Sequence, residues 1–507
     1  MLRGLRLTML AAIVAAATLV IHADAKPPSE SADIQLQLGR VLFEQGRYLD
    51  SLEAYQRALD VAPDTSRARL ARIGVIQCSL RAAKFDRARR EADALLASEP
   101  HSAEAMALYG DSLWAAGLFP ESETEYRNAL ALQPELARGH HGLARALAAR
   151  SRLDEAMNEA QAALRLSPRD LEIHHTVGSI YERMHKYDEA AAEYADFVDL
   201  LPNKDQSDQA AWARAEIRFL RSFGGKVPFQ MDPSSAGMLH TINFKLEHDK
   251  VVVRAKINGA SAQDFVLDTG AENTVVSRET AAKRGITPVT YTLSAGVGEV
   301  GLRGLQLARM DSLEIGTLKL YNVPCLIKNP PLKEIPTKET ESFSPLALGL
   351  SMTVDYKKRT LTIGPHLPPE PADFELPLWL YRLATVRGVV DGARTANFVV
   401  DTGGEVISIS QATASALGGA KHLGGRRIPL KVYGTSGWDR DAFLLPGVDL
   451  AFNEIHYRNF PVVVLNLEAP SVLLGFQVGG IVGHQFLRSY RVGIDLDRSM
   501  LRLRRES

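Results

Sequence analysis

The sequence predicts a multidomain chain: an all-α solenoid of repeated helical hairpins followed by an all-β domain of two similar lobes. Three observations carry this. Prolines recur at a near-constant interval through the first two hundred residues, an Asp-Thr-Gly strand ending occurs twice, at Asp268 and at Asp401, and apolar periodicity changes from helical to alternating between the prolines and these endings. Its 507 residues, 46% of them hydrophobic, allow about three domains. The 59 Lys and Arg against 60 Asp and Glu leave a formal charge of -1, which excludes a disordered polyelectrolyte and offers no basic field to nucleic acid. Cys78 and Cys325 fall in different predicted domains and are too few for a disulfide framework or a four-thiolate zinc site. Each is expected as a small buried apolar residue.

The first element, residues 1–25, reads as an export signal. Arg3 and Arg6 precede an apolar run from Leu7 to Ile21, and Ala23-Asp24-Ala25 forms a small-x-small cleavage site. The run is shorter than the roughly 20 residues of a permanent membrane span. The expectation is a mature chain starting near Lys26 in the periplasm or outside the cell, with no stable membrane span; retention of Met1 on N-terminal sequencing would remove it.

The helical segment follows. Pro63, Pro100, Pro134, Pro168 and Pro202 are separated by one slightly longer gap and then three equal ones, and a helical apolar stripe such as Tyr126, Ala129 and Leu130 precedes each. Gly110, Gly117, Tyr126, Ala129 and Pro134 recur in outline as Gly39, Gly46, Tyr55, Ala58 and Pro63. This pattern resembles a tetratricopeptide repeat array over about residues 33 to 202, its second unit slightly lengthened, with Ser207 to Phe223 as a capping helix and the array as a whole ending near residue 223. The resemblance implies a groove for a protein partner and no chemistry. His140-His141 and His174-His175, one period apart, admit a metal or pH-sensing site, but a plain helix-surface pair is the simpler expectation.

After a Gly, Pro and Ser-rich linker from Gly224 to Gly237, short alternating runs such as Val251 to Ile257 are β. Here lies the duplication. Ile257-Asn258-Gly259-Ala260 leads to Phe265-Val266-Leu267-Asp268-Thr269-Gly270, and Val390-Asp391-Gly392-Ala393 leads to Phe398-Val399-Val400-Asp401-Thr402-Gly403, the two aligning without a gap. Asn322-Val323-Pro324 matches Asn459-Phe460-Pro461, and Leu348-Gly349 is matched to Val482-Gly483, at nearly equal separations from the two aspartates. Each copy ends in an alternating strand, and the prolines 365, 368, 369 and 371 separate residues 238–364 from residues 374–505. One Asp-Thr-Gly is a weak signal; two in matching apolar strands, each with a later hydrophobic-hydrophobic-Gly, are strong. The arrangement resembles the retropepsin-like aspartic proteases, and its tandem form the bilobal, pepsin-type organisation.

An apolar strand ending at Asp268 sets a carboxylate beside the core; Gly270 is expected to permit a tight turn, and Thr269 to bond the opposing loop, with Asp401, Thr402 and Gly403 as the second set. If the copies pack about a pseudo-twofold axis, Asp268 and Asp401 meet and share one proton. The resemblance then implies amide hydrolysis by activated water, with no metal and no cofactor. Flap hairpins are expected at Ser294 to Gly298, including Gly296 and Gly298, and at Tyr433-Gly434-Thr435-Ser436-Gly437. The second resembles the Tyr-Gly-Thr flap of pepsin-like enzymes, though theirs lies in the first half; plain hairpin turns would explain both equally well.

Rival motifs fit less well. Gly296 to Gly301 satisfies a dinucleotide glycine pattern, but Leu302 to Leu313 shows no helix to follow it. Asp355 and Asp495 occupy matching places, expected at the start of the closing strands, and read as structural. The stretch from Gly349 to Asp355 is half as long as that from Gly483 to Asp495, so the first half is expected to have lost a short helix, and it carries a polar insert from Lys328 to Pro345. The loop Ala271-Glu272-Asn273-Thr274 follows the family pattern more closely than Gly404-Glu405-Val406-Ile407.

The sequence thus predicts an exported aspartic endopeptidase, active at acid pH on peptide or protein substrates, whose repeats recruit a substrate or partner. The shortened first half keeps a non-catalytic peptide-binding scaffold as the alternative, and pairing of halves between chains as a third.

Overall fold

The computed structural model describes residues 28–61, 66–298, 302–328, 341–417, 427–434 and 436–506; the export segment, Pro63, residues 299 to 301 of the glycine-rich pattern, residues 329 to 340 of the expected insert and Thr435 lie outside them. Among the described residues no helix is long and apolar enough to cross a membrane. The chain divides into two compact units between Leu95 and Leu96.

Among the described residues five helical hairpins precede the β strands: Pro28–Glu44 with Tyr48–Val61, Ser66–Arg81 with Phe85–Ser98, Ala103–Ala115 with Phe119–Leu132, Ala137–Ala149 with Leu153–Leu166, and Leu171–Arg183 with Tyr187–Leu200. Pro100, Pro134, Pro168 and Pro202 each stand two residues past a helix end, where a missing N–H costs nothing. In the first unit the Tyr55 ring packs where Gly39 and Gly74 lack side chains, a Cβ on Gly74 falling 2.5 Å from it. Arg67 ties to Asp33 at 2.6 Å, and Cys78 is buried. In the second unit Tyr126 fills the same role between Gly110 and Gly142. The closing helix Asp208–Arg221 is capped by Ser207, which accepts from the Ala210 amide at 3.3 Å.

Each β lobe starts from a left-handed turn, Asn258-Gly259 in the first and Asp391-Gly392 in the second, all four with positive φ. The turn folds Lys250–Ile257 against Gln263–Leu267 and Leu383–Val390 against Arg394–Val400. The second strand of each pair then runs parallel to a late strand, Glu341–Phe343 in the first lobe and Gly480–Val482 in the second.

These pairings correct the sequence match. Glu341 opposes Phe265 as Gly480 opposes Phe398, so Phe343-Ser344, not Leu348-Gly349, is the counterpart of Val482-Gly483. Gly349 has φ +68 and caps a 3-10 turn, Leu346–Leu348, which stands where the second lobe has the helix His484–Leu487. The first lobe has therefore kept its turn of helix in tighter form, and the end of the expected insert is a core strand. Asp355 and Asp495 end their strands, Ser351–Asp355 and Tyr490–Asp495, instead of starting them. Each accepts from an amide three residues on, and Arg491 lies 3.5 Å from Asp355.

The lobes share a sheet. Met352, Thr353 and Val354 pair with Ile494, Gly493 and Val492 at its centre, and His240–Asn243 and Phe374–Pro377 flank it on either side through Thr360–Gly364 and Met500–Arg505. One apolar core runs through it from Ile242 to Leu503.

Within the second unit the repeats pack on both lobes. Trp114 and Phe119 share a core with Trp379, Val399 and Phe476 of the second lobe, and Tyr187, Phe219 and Phe223 share one with Val275 and Leu307 of the first. The hairpin tip Tyr381-Arg382 meets these repeats: Tyr381 sits edge-on to Trp114 at 5.2 Å, and Arg183 donates to the Leu380 carbonyl at 3.3 Å.

Candidate active site

The strands that deliver the two aspartates are apolar, with Phe265, Leu267, Phe398 and Val400 fully buried, so each chain leaves the core at its carboxylate. The backbone there is fixed alike in both lobes. The Asp268 amide donates to the Phe343 carbonyl at 2.9 Å, and the Asp401 amide to the Val482 carbonyl at 3.1 Å.

The two turns then interlock through their threonines. Thr269 N–H donates to Thr402 Oγ1 at 3.1 Å and Thr402 N–H to Thr269 Oγ1 at 3.0 Å. Each hydroxyl donates onward into the opposite lobe, Thr269 to the Val400 carbonyl at 2.7 Å and Thr402 to the Leu267 carbonyl at 2.9 Å. Both side chains are buried and every polar atom of the exchange is used.

Gly270 lies in the expected turn, the Ala271 amide donating to the Asp268 carbonyl at 3.4 Å, but the turn is not what requires glycine at Gly270 or Gly403. Neither has a positive φ. A Cβ on Gly270 would lie 2.5 Å from Asp401 Cγ, and one on Gly403 would lie 2.8 Å from Asp268 Cγ. Each glycine makes room for the carboxylate of the opposite lobe. Their amides hold the aspartates of their own turns, Gly270 N–H donating to Asp268 Oδ1 at 3.1 Å and Gly403 N–H to Asp401 Oδ1 at 2.8 Å.

Asp268 and Asp401, half-buried, are brought together in one chain, each seated against the glycine of the opposite turn. Burial and then the charge of Asp401 push the Asp268 carboxyl up to about 7. Burial also raises Asp401, opposed by the Gly403 and Gly404 amides and by the Lys250 charge. The pair is best described as holding one proton, carried on Asp268. Such a pair can take a proton from water at one oxygen and give one to a carbonyl at another.

The two candidate flaps are hairpin tips that meet each other. Gly296 N–H donates to Ser436 Oγ and Ser436 N–H to the Val297 carbonyl, both at 3.0 Å. Gly434 and Gly298 have no space for a side chain; a Cβ on either falls 2.3 Å from the other tip's backbone. Tyr433 stands opposite Trp438, ring centres 5.5 Å apart. Leu302–Ile315 is a strand, which removes the dinucleotide reading.

Sequence reasoning included Ser436 in the second flap but missed Arg382. Arg382 bonds Glu272, four residues past Asp268, at 2.8 Å from Nε. Only a charged residue at a left-handed hairpin position, φ +59, hinted at it.

Among the described residues one cluster has metal-ligand geometry: His174, Glu193 and Asp196, in the repeats, with ligand atoms within 4.8 Å. Both His174 ring nitrogens are already engaged, Nδ1 with Glu193 at 2.8 Å and Nε2 with the Pro168 carbonyl at 3.1 Å. His140 repeats this with Glu159 and Pro134 at 2.6 and 2.7 Å, which marks a structural tie between repeats.

An aspartyl protease family model matches residues 253–351, and a tetratricopeptide repeat model matches residues 36–75, 80–135 and 110–170. Among solved structures the chain is similar to a thermophilic tetratricopeptide repeat protein of Thermus thermophilus, at 21% identity and TM-score 0.32, over 37% of this chain and 98% of that one. It is also similar to pilF of Pseudomonas aeruginosa, at 19% identity and TM-score 0.28, over 40% and 96%. A third is YrrB, described as a tetratricopeptide repeat protein with an unusual peptide-binding site, at 17% identity and TM-score 0.23, over 36% and 90%. No curated protein matches the chain.

Proposed function

From a chain that carries an aspartyl protease family domain together with tetratricopeptide repeats, we propose an exported endopeptidase that hydrolyses peptide bonds with water activated between Asp268 and Asp401. The observation that carries this reading is the seating of each carboxylate against the glycine of the opposite lobe, framed by the mirrored threonine exchange. In the reaction the ionised carboxylate of Asp401 removes a proton from water as its oxygen attacks the scissile carbonyl, and Asp268 protonates the carbonyl oxygen. The tetrahedral intermediate collapses when the C–N bond breaks, its nitrogen taking the proton held by Asp401 and one hydroxyl returning a proton to Asp268.

Export is supported by the basic start, apolar run and small-x-small site before Lys26. A partner role for the first hairpin is supported by Ile34, Leu38 and Val41, spaced as one helix face and 41%, 41% and 42% exposed.

A second reading, a peptide-binding scaffold without turnover, is supported by Ser344, whose buried hydroxyl has no partner among the described residues and which stands where the second lobe has Gly483. The purified mature chain, incubated with a mixed peptide library from about pH 3 to about pH 8 with and without a statine-type inhibitor, tests both. Inhibitable cleavage supports the peptidase. Binding of the inhibitor with no cleavage supports the scaffold.

A further inference from the structure

The two lobes present the same backbone at the carboxylates but different neighbours, and we infer that Lys250 makes this site select peptides with an acidic side chain on the first-lobe side of the scissile bond and an apolar one on the second-lobe side. The inference rests on the peptidase reading above.

The geometry comes from strand register. Val252 opposes Val266 and Val253 opposes Phe265; two residues beyond the end of this ladder, Lys250, which pairs with Glu247 on its other side, and Asp268 stand at matching positions. Directly opposed residues of antiparallel strands project from one face, their Cβ atoms about 4.5 to 5.5 Å apart. In the second lobe Thr385 opposes Val399 and Val386 opposes Phe398, and two residues beyond the end of that ladder Leu383, which pairs with Tyr381 on its other side, and Asp401 stand at the equivalent positions. A cation beside one carboxylate is thus matched by a leucine beside the other.

A second position repeats the asymmetry. Val276 pairs with Ile327, and Lys328 follows, its amide donating to the Val276 carbonyl at 2.9 Å. In the second lobe Ile409 pairs with Val464, and the residue that follows is Leu465, which is buried. Leu383 and Leu465 belong to one apolar cluster with Leu474 and Phe476.

Both lysine charges reach the dyad. Lys250 favours the ionised form of Asp268 and of Asp401, and Lys328 that of Asp268. A half-buried ammonium attracts a substrate carboxylate more strongly than it would in open water. A second cation placed there would be repelled, so selection comes from rejection as well as attraction.

The test uses the mature full chain and fluorogenic peptides that differ only beside the scissile bond, with Glu, Gln or Lys on one side and Leu on the other. The expected kcat/KM for Glu exceeds that for Gln by about fivefold, with Lys lowest. Lys250→Leu, which installs the counterpart residue, should bring the Glu to Gln ratio close to one, and Lys250→Glu should turn the preference toward Lys. If Lys250→Leu does not fold, Lys250→Gln is read by the same ratio. Equal cleavage of the Glu and Gln peptides, or a ratio that survives in the variants, overturns the inference while leaving the peptidase intact. Paired statine peptides carrying Glu or Gln supply a readout that needs no turnover. Tighter binding of the Glu form without cleavage supports the charge selection and overturns hydrolysis, and equal binding without cleavage overturns both.

Discussion

Thr269 and Thr402 hold each other: each amide donates to the other's hydroxyl, at 3.1 and 3.0 Å, and each hydroxyl donates to a carbonyl of the opposite lobe. The distance between Asp268 and Asp401 is therefore set by neutral groups on the adjoining residues and not by the carboxylates, which repel when both are charged.

Thr402→Val tests that scaffold. It deletes the donor to the Leu267 carbonyl and leaves the buried Thr269 amide without an acceptor. The expected loss is about 2 to 4 kcal/mol in urea unfolding, because a stranded buried group costs more than a bond contributes. A loss under about half a kcal/mol would mean that the exchange does not hold the lobes.

Asp268→Asn and Asp401→Asn should each reduce peptide cleavage by about a thousandfold or more, since neither variant can pass a proton between water and carbonyl. Stability at neutral pH should not fall, because either change leaves one carboxyl in place of two that repel when both ionise. Cleavage within a few fold of the parent in either variant would place the chemistry elsewhere.

Gly270→Ala separates room from turn geometry. The φ at this position suits alanine, but the added carbon would meet Asp401 Cγ at 2.5 Å. Cleavage should be lost while far-ultraviolet circular dichroism and the gel-filtration volume stay unchanged. Retained activity would show that the carboxylates tolerate displacement.

The pH dependence has a definite sign. The Asp268 carboxyl is raised to about 7, so the folded chain binds more protons than the unfolded chain between the ordinary carboxyl range and neutrality. This contribution favours folding at the acid end and is lost as pH rises through about 7. Glu182 and Glu216, raised by burial, act in the same direction. Cleavage should likewise decline as pH rises through about 7, where Asp268 gives up its proton, and a rate that instead increases there would contradict the assigned roles.

Trp114→Ala should destabilise the second unit by about 3 to 5 kcal/mol, since the ring contacts Phe119 at 4.7 Å and Tyr381 at 5.2 Å inside a core shared with the second lobe. Fluorescence and circular dichroism should report helices and strands unfolding together. Separate transitions would show that the shared core does not couple them.

The helical half was legible because each hairpin contains its own signals. The proline two residues past a helix end and the glycine under Tyr126 are local in sequence, and period makes them visible. The paired aspartates were legible because duplication repeats their context. The wrong match of Leu348-Gly349 arose from the same habit of matching patterns. A hydrophobic-Gly pair marks a helix cap as readily as a strand end, and only the pairing of Phe343 with Leu267 tells them apart. Contacts across long separations left almost no trace. Arg183 with Leu380, Val297 with Ser436 and Arg382 with Glu272 each join residues whose sequence neighbourhoods give no reason to seek one another.

The threonine lattice contains no formal charge, so added electrolyte has nothing in it to screen. The frame that positions the two acids should be indifferent to ionic strength even where the rest of the surface responds to it. Any sensitivity of turnover to sodium chloride would then report how substrate is attracted and seated, and the protein separates that influence from the integrity of its own reactive centre.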